Sequence, residues 1–76
     1  MKFSQELVDN IYNFKTISNI KKVDILLEMD AAQYTNCGKD STIKELEIVK
    51  KNSRYIYKTI KKINPTLGET FLKHQD

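Results

Sequence analysis

The sequence predicts an all-α fold, a small three-helix bundle with a short C-terminal fourth helix. Three observations carry that prediction. Residues 42–63 form two opposed stripes when placed about 100° apart around a helix axis. Leu46, Val49, Ile56, Tyr57, Ile60 and Ile63 make the apolar stripe, and Lys44, Lys51, Arg54, Lys58, Lys61 and Lys62 the opposite, basic one. Two glycines and one proline in 76 residues leave long helical stretches unbroken. Finally, capping side chains stand just ahead of apolar residues in helical register. A single domain of this size buries only about 60% of its unfolded surface, so its stability is expected to be modest.

The first helix is expected to start after Ser4 and run to residue 14 or 15, with Leu7, Ile11 and Phe14 at helical spacing. Phe3 before the cap and Val8 after it suit a hydrophobic staple. A short connection at 16–19 follows, with Ser18 able to cap the second helix. That helix should span about 19–34 and turn Ile20, Val23, Leu26, Leu27, Ala31 and Tyr34 inward. Ile25 and Met29 then fall together about 150° from this face, where they suit contact with a partner. Asp30 turns toward the edge of this face, where it suits capping the loop at Asn36, pairing with a lysine or arginine of the third helix, or meeting a partner; a structural role is expected.

Residues 36–40, Asn-Cys-Gly-Lys-Asp, form the clearest break. Asp40, Ser41 and Thr42 offer successive caps, and Thr42 with Glu45 matches a capping box for the third helix. At ~22 residues this helix would be about 33 Å long, more than the first two helices, so part of it is expected either to protrude or to be covered by the C-terminal segment. It should stop at Asn64, because Pro65 disfavours helical geometry in the residue before it. Asn64 and Pro65 also read as N-cap and first turn of the fourth helix, which carries Leu67, Phe71 and Leu72. Gly68 weakens this last assignment by about 1 kcal/mol relative to alanine. The expected core is Leu7, Ile11, Phe14, Ile20, Val23, Leu27, Leu46, Val49, Ile56, Ile60 and Ile63, with Phe71 and Leu72 closing one end.

The net charge of +3 is concentrated in one place. Residues 41–63 hold seven Lys and Arg against two Glu, whereas the segments on either side are each slightly acidic. A basic face on one helix suits an anionic partner, although a solvated outer face of a bundle has the same composition. Ile48 and Tyr55 border it, beside Lys51 and Lys62. In that position Tyr55 can stack on a base while Lys51, Arg54 and Lys58 hold phosphates. The same group suits an acidic, partly apolar protein surface.

Catalytic chemistry finds little support. His74, the one histidine, has no orienting acid or further ligands nearby in sequence, so neither a metal site nor histidine catalysis is expected. Cys37 precedes a helix start and a lysine, but Asp40 opposes thiolate formation. The Gly38-Lys39 and Ser41-Thr42 pairs lack the first glycine and the continuity of a phosphate-binding loop. Neither enzymatic activity nor a cofactor is expected. One cysteine cannot form an internal disulfide, and no apolar run is long enough for a signal peptide or a membrane span. A cytoplasmic location follows as the expectation.

The segment from Leu27 to Asn36, with Asp40-Ser41-Thr42 and Ser53-Arg54-Tyr55-Ile56-Tyr57, resembles small lysine-rich proteins of T4-like phages. The resemblance covers about half of the chain and transfers no functional residue. It implies a virion accessory subunit or a host-directed regulator, found in the host cytoplasm or the virion. The sequence therefore leads to a non-enzymatic protein-interaction module acting through Ile25, Met29, Ile48 and Tyr55, by self-association or with another protein. The alternative is nucleic-acid binding through the basic face. An inhibitor that mimics nucleic acid is disfavoured by the positive charge, since such mimics are acidic.

Overall fold

The computed structural model describes residues 3–36 and 42–75, which form four helices and, among the described residues, no strand. These are α1 (Gln5–Asn13), α2 (Asn19–Asn36), α3 (Ile43–Ile63) and α4 (Pro65–Lys73). Cys37, Gly38, Lys39 and Asp40 of the expected break, and Asp40 and Ser41 as expected caps, lie outside the described residues. Each helix begins where a side chain satisfies an orphan backbone N–H. Ser4 Oγ accepts from Leu7 N–H, Ser18 Oγ from Lys21 N–H, Thr42 Oγ1 from Glu45 N–H, and Asn64 Oδ1 from Leu67 N–H.

The long third helix is the axis of the molecule, since α1, α2 and α4 all pack against it. Its apolar stripe supplies Ile56, Tyr57 and Ile60 to the core, joined by Val8 and Ile11 from α1 and by Val23, Leu26 and Met29 from α2. Leu67, Phe71 and Leu72 of α4 pack on this cluster from the other side. The rings of Tyr57 and Phe71 stack, with centroids 5.2 Å apart.

Two expectations of the core need correction. On α2 the buried side is Val23, Leu26, Met29 and Asp30, whereas Ile20 is 78% exposed and Tyr34 46%. The inward face is therefore rotated by about 70° from the one read from spacing. Apolar residues spread over more than half of the circumference of α2, so periodicity alone does not select a side. Its rotation is set by polar side chains that meet α3. Phe14 and Leu46, also expected inside, are 53% and 42% exposed. Phe14 follows the last turn of α1 as an extended capping residue. Leu46 belongs to a part of α3 that outruns its neighbours.

A close approach joins α4 to α3. Asn64 ends α3 and caps α4, so the chain reverses within one residue. A Cβ on Gly68 would fall on the backbone N and Cα of Lys61. The glycine that weakens α4 as an isolated helix is what lets it lie flat on α3. Gly68→Ala is accordingly expected to lower stability by about 1–3 kcal/mol, measured as a reduced urea midpoint with little change in slope.

Candidate interaction surfaces

A carboxyl group lies at the centre of the α2–α3 contact. Asp30 is 8% exposed, and its two oxygens accept hydrogen bonds of 2.5 Å from the hydroxyls of Ser53 and Tyr57. Ser53 is fully buried, and the Tyr34 hydroxyl lies 3.4 Å from its Oγ. Asn52 Nδ2 donates to Gln33 Oε1 at 3.0 Å one position along, beside a buried Gln33 Nε2 that has no partner. The structural role expected for Asp30 is thus filled by hydroxyls of α3 rather than by a lysine or arginine. Ser53 is one polar residue within the apolar stripe of α3, whose inward side the flanking apolar residues already define. Its position beside Ile56, Tyr57 and Ile60 was the available signal.

These contacts push the Tyr57 phenol well above its ordinary value of 10.0, chiefly through burial and then through the Asp30 hydrogen bond. Tyr55 shifts in the same direction, first because its hydroxyl donates to Asp9 at 2.6 Å and then through burial. Tyr55 also meets the ring of Phe3 edge-on at 6.4 Å. It joins α1 to α3 and is only partly open to solvent, so the expectation of a free stacking anchor is corrected.

The Ile25 and Met29 pair is likewise corrected as a partner surface. Met29 is fully buried, and Ile25 is half-buried against the same core. The rotation of α2 that brings Asp30 inward carries both residues with it. Ile48 stays outside, at 52% exposure.

All six cations of the basic face are exposed. They are not equally available. Lys61 Nζ pairs with Glu69 at 3.6 Å, Arg54 Nε donates to Gln75 Oε1 at 3.5 Å, and Lys62 Nζ lies 5.5 Å from the Tyr12 ring centroid. The α4 segment thus engages one edge of the stripe and α1 another. Lys44, Lys51 and Lys58 remain along its middle.

Beyond these, the N-terminal turns of α3 carry exposed apolar side chains among charged ones. Every residue from 42 to 48 is exposed, including Ile43 at 77%. Gln33 of α2 sits beside Asn52, and Gln75 past the end of α4 donates to the Lys50 carbonyl at 2.6 Å. Residues 43–48 lie ahead of both contacts, roughly 3–14 Å further along the axis at 1.5 Å per residue. Two recesses of about 530 Å³ occupy the other end of the molecule. One, between α2 and α4, is lined by Ile20, Leu27, Ile63 and Leu67; the other, at the α1–α2 corner, by Tyr12, Phe14, Lys15, Lys22 and Lys62.

His74 turns its Nδ1 to the Thr70 carbonyl at 2.8 Å. Among the described residues no three His, Cys, Asp or Glu side chains are grouped as a metal site, and no helix is long and apolar enough to cross a membrane. Comparison of the chain with protein-family models, curated proteins and solved structures finds no match.

Two outcomes follow from the polar layer. Asp30→Ala leaves two buried hydroxyls without their acceptor and should cost about 2–4 kcal/mol in denaturant unfolding. Tyr57 retains its proton more tightly when folded. Its contribution is therefore complete below about pH 10 and is lost as pH rises beyond the unfolded-state value. Thermal midpoints measured from pH 8 to 11 should fall at the alkaline end, and less steeply in Tyr57→Phe.

Proposed function

We propose that the protein is a non-enzymatic interaction module that docks a partner protein through the first turns of α3, residues 43–48. The observation that carries this reading is the exposure of Ile43 and Leu46, three residues apart on one side of a regular helix, with Ile48 exposed on the other side of the same turns. An amphipathic helix already folded and held out from its bundle meets an apolar groove at little entropic cost. Glu45, Glu47, Lys44 and Lys50 surround the apolar residues and would set orientation. The surface differs from the one expected on α2, but its kind is the same. The resemblance to small proteins of T4-like phages makes a phage accessory or assembly subunit the natural setting, in host cytoplasm or virion.

A second reading has its own observation. Lys44, Lys51 and Lys58 share one open strip of α3, seven residues apart and so about 10 Å per step. Such a strip suits the phosphates of a nucleic acid.

A photo-reactive side chain placed at residue 46 or 48, in cells that make the chain naturally, separates the two. Docking predicts a discrete protein adduct that Ile43→Asp removes while stability changes by less than about 0.5 kcal/mol. An adduct of twice the chain mass identifies self-association, and absence of any adduct at both positions rejects protein docking. Nucleic-acid binding predicts a gel shift that weakens with added salt, its logarithmic salt slope falling by about 1 for each of Lys51 and Lys58 replaced by glutamine.

A further inference from the structure

We propose that the recess at the α1–α2 corner is a nucleotide site, with lysines for the phosphate and Phe14 for the base. Three cations converge there from three separate parts of the chain. Lys15 comes from the α1–α2 connection, Lys22 from α2 and Lys62 from α3, and no carboxyl side chain lines the recess. Among the described residues none of the three has an acid within 4.0 Å; the ion pair present is Lys61 with Glu69. An anion entering the recess would therefore meet positive side chains and no competing carboxylate.

The Tyr12 side chain and backbone hold the cluster in shape. Lys22 Nζ donates to the Tyr12 carbonyl at 2.8 Å, which occupies one of its three N–H donors and leaves two. The ammonium groups of Lys22 and Lys62 lie 6.0 and 5.5 Å from the same ring centroid, within the range of cation–π attraction. Two cations thus lie near one aromatic ring, and Lys22 is also held by a hydrogen bond. The charge is reinforced by the first turn of α2, which contains Lys21 and no acid.

Phe14 selects the ligand class. Phe14 is 53% exposed and lines the same recess as the lysines. A simple phosphate would leave that ring in water, whereas a planar base would cover it. The recess volume of about 530 Å³ falls within the range of small-molecule sites. The nucleotide is either free or one unit of a single strand whose backbone continues over Lys58 and Lys51. The site uses the C-terminal end of α3 and does not rest on docking through Ile43, Leu46 and Ile48.

Amide NMR titration of the intact protein with ADP, pyrophosphate, phosphotyrosine and a single-stranded oligothymidylate tests the assignment. ADP is expected to shift residues 12–17, Lys22 and Lys62 saturably. Lys62→Glu and Lys15→Glu should each weaken it by about tenfold, and Lys73→Glu, at the exposed end of α4, should not. Phe14→Ala should weaken ADP but leave pyrophosphate unchanged; circular dichroism confirms that each variant keeps its helices. Tighter binding of the oligonucleotide, with shifts reaching Lys58 and Lys51, identifies a strand as the source. Equal or weaker binding identifies the free nucleotide. The proposal is overturned by absence of saturable shifts at residues 12–17 with either nucleotide ligand. It is equally overturned if pyrophosphate or phosphotyrosine matches ADP and Phe14→Ala has no effect.

Discussion

The alignment of α2 on α3 depends on one carboxyl group shared by two hydroxyls. Asp30 reaches from α2 between Ser53 and Tyr57 of α3, and each of its oxygens takes one hydrogen bond. Apolar contacts between helices are tolerant of sliding and rotation, because one methyl group substitutes for another at small cost. A buried carboxyl group is not tolerant. Moving α2 by one residue or turning it on its axis would leave the acid and both hydroxyls without partners in a low-dielectric interior. In this small core the polar layer therefore confers alignment, while burial of Leu26, Met29, Ile56 and Ile60 supplies the driving force.

That constraint reaches the surface. Holding Asp30 inward turns Met29 into the core and leaves Ile20 outside, so the open apolar areas of α2 follow from the polar contact. The same alignment places Gln33 beside Asn52, and α3 consequently runs on past its neighbours. Its projecting turns and the lysine-lined corner near its other end are separate consequences of one long helix served by three shorter ones. The first exposes apolar surface and the second collects positive charge. A chain this small can present both without either interfering with the other.

Close packing of α4 follows a different logic. Asn64 reverses the chain within one residue, and Gly68 removes the side chain that would hold the helices apart. Phe71 then reaches Tyr57, whose hydroxyl is already committed to Asp30. Tyr57 thus connects the aromatic contact of α4 with the polar layer of α2. The two sides of the axis helix are coupled through that residue.

Much of this architecture is legible in the residues themselves. Ser4, Ser18, Thr42 and Asn64 mark helix starts because capping is local, and the opposed stripes of α3 settle its orientation because they are strong and regular. The six cations of α3 were likewise assigned outward from spacing alone. Periodicity did not decide which side of α2 faces inward, since Ile20, Val23, Ile25, Leu26, Leu27 and Met29 spread over more than half of its circumference. Nor did it reveal that Tyr55 is tied to Asp9, or that Lys15, Lys22 and Lys62 share a recess. Those relations join residues far apart in the chain, and only the packed tertiary structure brings their hydrogen bonds and charges together.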